Sequence, residues 1–328
     1  MTPSTGDGAP RVVVFGDVID DVIVTPSGDI RPDTDTAAGI ERRAGGSAAN
    51  FAAWCGRLGL PTHFFGSVSA VDVRHHTDAL GAVGVTAHLR GDPVLPTGTI
   101  VVILQPDRTR TMLTERGANA ATTAGDVDRA LLVPGAHLHF TGYSLFSAVG
   151  EARVAELQRL IQDAHERGAT VSVNPGSAGF IADHGAAPLL EAIRGADLII
   201  PNLDEGRALT GAVEAEAVLD ALLELHPVVA LTCGRADALL GARSGRPVRV
   251  PTIAVTPVDT TGAGDAFSAA LVTALLRSAA PDSNPLAPEG LDGDRLAAAG
   301  QAAVRAAAEA IQQLGARPRA AAVDGASR

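Results

Sequence analysis

The sequence predicts an α/β protein: a doubly wound, mostly parallel sheet flanked by helices, with a smaller β-sheet set apart from it. Three observations carry this. From Ala136 to Thr232 short apolar runs alternate with helical patterns, the signature of β–α units that build a parallel sheet. Near the start, Val12 to Phe15 is an unbroken apolar run, as expected of a strand covered on both faces. Near the end, the turn Gly262-Ala263-Gly264 feeds Ala266 to Leu276, an apolar run without Gly or Pro that reads as a helix.

Composition bounds the function. A chain of 328 residues fits one large domain, or one with a small appendage. Hydrophobic residues make up 46% and aromatics only 3%, so the core is built from Ala, Val, Leu and Ile. The net charge of −11, with basic residues scattered, excludes nucleic acid and anionic membrane surfaces as partners. No lysine occurs, so every basic side chain beyond histidine is arginine. That removes P-loop, protein-kinase and Schiff-base chemistry, each of which needs a lysine. Cys55 and Cys233 have no metal spacing and read as reduced thiols. Met1 to Pro10 lacks the basic start and apolar core of a signal peptide, and no run approaches the ~20 apolar residues that span a bilayer. A cytoplasmic location is expected.

Taken in order, residues 1–10 and 319–328 read as loose termini around a folded domain at 11–318. The first strand ends in Gly16-Asp17-Val18-Ile19-Asp20-Asp21, and acidic groups past the carboxyl end of a central strand lie where open α/β sheets bind ligands. Val22 to Thr25 is a second short strand in a polar stretch reaching residue 43. Gly45-Gly46 then opens an alanine-rich helix that carries Asn50. Pro61 to Val68 and Val71 to Val83 read as strand and helix, with His75-His76 on a solvated face. Alternating patterns at 85–89, 99–104 and 109–113, the last after the turn Pro106-Asp107, predict strands that join residues 22–43 in the small sheet.

Beyond it, strands at 136–141, 170–173, 198–200 and 227–232 alternate with helices at 148–167, 186–194, 204–209 and 214–225. Strands at 238–242 and 247–250 close the far edge, 281–294 is a loop, and 295–314 is an alanine-rich helix. His137 and His139 lie on an apolar strand without a third ligand at metal spacing, and read as structural.

The chemistry concentrates in Asp259-Thr260-Thr261-Gly262-Ala263-Gly264-Asp265. Bare glycine backbone lets N–H groups approach a charged ligand, and the helix N-terminus that follows favours negative charge. A carboxylate there, Asp265, is either a capping residue or a base held where a phosphoryl group and a hydroxyl meet. The whole string resembles the second signature of the ribokinase-like (PfkB-type) carbohydrate kinases. The resemblance implies that Asp265 takes the proton from a sugar hydroxyl while the amides of Gly262, Ala263 and Gly264 hold the transferring phosphate.

Other stretches agree with that resemblance. Gly45-Gly46-x-x-x-Asn50 resembles the first signature, in which the glycines line the sugar and the asparagine bonds its hydroxyls; an amide offers both donors and an acceptor for this. By the same resemblance Asp21 binds sugar hydroxyls, with Asp17 beside it. Asn202-x-x-Glu205 resembles the motif that positions magnesium through its waters, and magnesium keeps much of its water shell. Thr232 and Gly234 resemble the strand-end loop on the ATP phosphates, and Gly315 the closing loop beside the nucleotide. Asp259, with Thr261, resembles a monovalent-cation site. Arg116-Gly117-Ala118-Asn119 resembles the end of a lid, so segments 22–43 and 85–116 are expected to close over the sugar.

Two departures matter. Asp237 stands where the family usually has a second glycine in the ATP loop, and Thr141-Gly142-Tyr143-Ser144 replaces the sugar-binding glutamate of ribokinases proper. The expected function is an ATP-dependent kinase acting on a primary hydroxyl of a small sugar of the ribose, fructose or sugar-acid class. Magnesium, and potassium at Asp259, are the implied ions. The alternatives are a nucleoside kinase of the same fold and a non-catalytic sugar-binding regulatory protein. An apolar lid face implies pairing with a second copy in a homodimer.

Overall fold

The computed structural model describes residues 10–104, 110–146, 150–280 and 283–319. Residues 1–9, the turn Pro106-Asp107, Ala148 and residues 320–328, for which the sequence carried expectations, lie outside the described residues. In chain order the strands are β1 (Arg11–Phe15), β2 (Ile19–Pro26), β3 (Ala38–Gly45), β4 (Thr62–Ser69), β5 (Val85–Asp92), β6 (Gly98–Leu104) and β7 (Arg110–Glu115). They continue as β8 (Ala136–Thr141), β9 (Thr170–Asn174), β10 (Leu198–Ile199), β11 (Val228–Leu231), β12 (Ala238–Ala242) and β13 (Val248–Val250). The helices are α1 (Ser47–Arg57), α2 (Val73–Gly81), α3 (Tyr143–Phe146), α4 (Glu151–Glu166) and α5 (Ala178–His184). They end with α6 (Ala186–Ala192), α7 (Leu203–Thr210), α8 (Ala215–Leu225), α9 (Ala263–Arg277) and α10 (Gly293–Ala310).

Nine strands form one sheet in the order β13-β12-β11-β10-β9-β8-β1-β4-β5, parallel except where β12 meets its two neighbours. The apolar run at β1 is central, and alternate residues feed opposite layers. Val12 and Val14 face the core under α1, α9 and α10, while Val13 and Phe15 face the core under α4, α6 and α8. That two-sided burial is why the run lacks a polar alternation. The chain leaves β1 toward β4 on one side and returns to β8 on the other. The strand order therefore reverses at β1, and at such a point ligands bind open α/β sheets.

The second sheet has four strands, β3-β2-β6-β7. Val85–Asp92, expected there, belongs instead to the main sheet, where β5 runs parallel to β4 over eight register pairs. Its alternating burial is that of an edge strand, and the β4-α2-β5 crossover sets which sheet it joins. Conversely, Ala38–Gly45 is a full strand although its residues are mostly exposed. Backbone pairing with β2, from Ile19↔Gly45 to Pro26↔Ala38, holds it.

Two further expectations are corrected or sharpened. His76 does not lie on a solvated face; it is fully buried, 3.5 Å from Asp20. The structural reading of His137 and His139 holds: His137 bonds the hydroxyls of Thr170 and Ser172, and His139 bonds Ser172 and stacks on Phe51. Among the described residues no helix is long and apolar enough to cross a membrane.

Candidate active site

A cavity of about 550 Å³ opens at the carboxyl ends of the central strands, beneath β6 and β7. Its floor is organised around Asp265. Ser47 Oγ donates to Asp265 Oδ1 at 2.6 Å and Asn50 Nδ2 donates to Oδ2 at 2.9 Å, so one carboxylate joins α9 to α1. Burial is the larger influence on this carboxyl and pushes its pKa up to about 6, against those two hydrogen bonds. Asn50 Oδ1 is buried and accepts from no described group, which leaves an acceptor beside the base.

The glycine pair fits because side chains would not. A Cβ on Gly46 (φ 93°) would lie 2.5 Å from the Asp17 carbonyl oxygen, and one on Gly45 would lie 2.2 Å from Asp21 Oδ2. Gly46 lines the cavity, while Gly45 stands behind Asp21. Asp17 also serves α1, accepting from Ser47 N at 3.0 Å, which supplies the cap that Gly46 cannot. Asp21 is buried at the base of β2, and burial pushes its pKa up to about 7 although Arg317 opposes the rise.

At the other end, Gly262 caps α9 in the left-handed region (φ 77°) with no side-chain cap. Ala263 and Gly264 line the cavity with the helix's first amides uncapped, which is the geometry an anion needs. Asn202 and Glu205 form a reciprocal cap on α7, with Asn202 N donating to Glu205 Oε2 at 2.9 Å and Nδ2 to Oε1 at 2.6 Å. Glu205 is buried, and burial pushes its pKa up to about 7.

Asp259 does not reach the cavity. Its Oδ1 accepts from Thr261 N and Oγ1, and its Oδ2 from Gly315 N at 3.0 Å, so it ties the glycine-rich turn to the C-terminal loop. A second, smaller cavity of about 170 Å³ adjoins through Thr232, Ala263 and Gly264, and Cys233, Gly234, Phe267 and Ile311 give it a largely apolar wall. Asp237 is absent from that wall.

The residues present fit a nucleotide with a hydrated cation. Among the described residues no three His, Cys, Asp or Glu side chains gather to hold a metal alone. A cation here would take its ligands from phosphate and water oxygens, with Glu205 bonding the waters. Of the residues expected in the site, Asp17, Asp21, Gly46, Asn50, Asn202, Glu205, Thr261 and the Gly262–Asp265 turn share one cavity with Thr232. Gly45, Gly315 and Asp259 support it from behind, and Gly234 lines only the neighbouring cavity.

Sequence reasoning missed Ser47 and Phe180, and it placed Arg116 at the lid end and Tyr143 beyond β8 without bringing the two together. Ser47 directly follows the glycine pair, and that position could have flagged it. Arg116 lies over the Tyr143 ring at 5.4 Å, and Phe180 meets the same ring edge-on; no local pattern announces either contact.

An anion cradle at a helix N-terminus, a half-buried carboxylate beside it and an adjoining apolar cavity define a phosphotransferase of the carbohydrate-kinase class. Residues 9–321 match the model of the pfkB family carbohydrate kinases, and the chain belongs to that family. A curated relative, the bifunctional protein HldE of Shewanella amazonensis, is 31% identical over 282 residues, covering 81% of this chain and 55% of the relative. The chain thus spans about half the length of the curated relatives it matches. Among solved structures, a fructokinase from Vibrio cholerae with fructose, ADP and calcium bound is 28% identical, with TM-score 0.76 over 94% of this chain and 95% of that one. Adenosine kinase from Sinorhizobium meliloti shares the fold at 21% identity, with TM-score 0.79 over 94% and 96% of the two chains.

Proposed function

We propose that this protein transfers the γ-phosphate of ATP to a primary hydroxyl of a small sugar. The observation that carries the reading is Asp265, a carboxylate with a raised pKa between the bonding groups of α1 and the uncapped start of α9. Asp21 and the free acceptor of Asn50 bond sugar hydroxyls and aim one of them at Asp265, which receives its proton as the oxygen attacks. The amides at Gly262–Gly264 hold the charge of the transferring group. The smaller cavity takes the adenine. Magnesium, held through waters at Glu205, would offset phosphate charge when bound. Potassium at the loop held by Asp259 would stiffen the same turn.

Ile100, Val102 and Met112 give the cavity an apolar roof from the lid, the feature that favours a nucleoside acceptor as the second reading. A coupled ADP-release screen over pentoses, hexoses, sugar acids and nucleosides, with and without potassium, decides between them. Turnover with none of these would refute both. The outer lid face exposes Ile40 and Leu113, and we place a second copy of the chain there; light scattering of Leu113→Asp as a monomer beside a dimeric parent tests it.

A further inference from the structure

We infer that Arg317 is a positioning residue for the sugar site, setting a buried positive charge behind Asp21 and fastening the lid strand β3 to the C-terminal loop. The inference rests on the kinase reading above for its consequence, but not for its direct test.

The loop after α10 is tied down at three successive residues, each to a different element. Gly315 N donates to Asp259 Oδ2 at 3.0 Å, and Ala316 O accepts from Trp54 Nε1 at 3.1 Å. Arg317 Nη2 donates to Gly45 O at 2.8 Å. Gly45 is the last residue of β3 and lies directly against the Asp21 carboxylate, where even a Cβ would have no room. A bare glycine therefore spaces the guanidinium from the carboxylate.

The guanidinium is incompletely bonded. Arg317 Nε and Nη1 are buried without an acceptor among the described residues, while the nearby Asp21 is buried and lines the cavity. A buried cation left this way is costly unless a nearby negative charge compensates it. Asp21 is the largest favourable charge on Arg317, followed by Asp20 and Asp17, and Arg317 is the one influence that lowers the pKa of Asp21.

The other charges bearing on Asp21 come from every side. Asp17 follows β1, Asp259 and Asp265 belong to the glycine-rich turn and α9, and Arg43 is its register partner on β3. His76 of α2 faces Asp20 and also feels Arg317. Three of these are carboxylates that push Asp21 toward the neutral form. Without the Arg317 charge, Asp21 at neutral pH would be mostly protonated, and a neutral carboxyl is a weaker acceptor for sugar hydroxyls. Arg317 thus makes sugar affinity depend on the same loop that brackets the anion cradle.

The test compares the parent with Arg317→Gln, which keeps a donor for Gly45 O but not the charge, and with Arg317→Lys, which keeps the charge. Carbon-detected NMR of the ligand-free proteins, with Asp21→Asn to assign the signal, follows the Asp21 carboxyl directly. R317Q is expected to raise its midpoint by about one pH unit, at the low end for loss of a neighbouring opposite charge, and R317K to restore it. Kinetically, a rise of that size from about 7 leaves about a tenth of Asp21 ionised at pH 7 instead of half, so KM for the sugar rises about fivefold with kcat little changed. An unmoved Asp21 midpoint in R317Q overturns the inference, and so does a KM that rises equally in R317K. If the parent shows no sugar-dependent turnover, the kinase reading fails, while the NMR result still decides the role of Arg317.

Discussion

Replacing Asp265 by Asn separates chemistry from stability, and the structure sets both magnitudes. The amide can turn its oxygen to Asn50 Nδ2 and its NH₂ to Ser47 Oγ, which then accepts, so both bonds between α1 and α9 survive. Proton acceptance is lost, and removal of a positioned base costs about 10²–10⁴-fold in kcat. Stability should move the other way. The folded pKa of about 6 lies above the ordinary 3.8, so the native state binds the proton more tightly than the unfolded chain.

The sign follows from linkage. Below about pH 4 the carboxyl is protonated in both states and costs nothing; from there to about pH 6 the penalty grows, and above it stays constant. At 1.36 kcal/mol per pKa unit, discounted for solvent at the cavity mouth, the penalty is about 1–3 kcal/mol. Asp265→Asn should therefore turn over far more slowly yet be more stable than the parent at pH 7.5, by about that amount, with the gain gone near pH 4. Urea unfolding at the two pH values, beside the ADP-release assay, measures this. Near-normal turnover, or a gain independent of pH, refutes the reasoning.

Gly262→Ala would force a Cβ to 2.5 Å from Ala316 Cβ at a φ of 77°, so we expect a loss of about 1–3 kcal/mol and a fall in kcat, read by thermal unfolding and turnover. Asn202→Ala removes the reciprocal cap on α7 and frees Glu205; stability should drop about 1 kcal/mol and KM for ATP should rise, while KM for the acceptor stays unchanged. Burial pushes the His137 pKa down to about 4, so the unfolded chain takes up a proton below about pH 6.5 that the folded one refuses until about 4. The parent should lose up to about 3 kcal/mol over that window through this group, partly masked by Asp21 and Glu205, whose raised values act oppositely. The difference between the parent and His137→Asn in urea midpoints across that window isolates it.

Much of this protein was legible along the chain because the relevant physics is local. A strand buried on both faces needs an unbroken apolar run, and β1 has one. A turn with positive φ against a neighbouring backbone needs glycine, so Gly46 and Gly262 mark themselves. Asn202 and Glu205 stand out as a pair three apart at a helix start, and the structure joins them in a reciprocal cap.

What only the tertiary structure decided is which distant parts meet. β5 alternates as a lid strand would, and its crossover alone assigns it to the main sheet. β3 is polar because its pairing is made by backbone, which no side-chain pattern reports. Ser47 reaches Asp265 across 218 positions, and Arg317 reaches Gly45 across 272. Side-chain pattern encodes burial and turn geometry near each residue, but the charge environment of a carboxylate depends on chain closure, which brings in groups that its own segment does not contain.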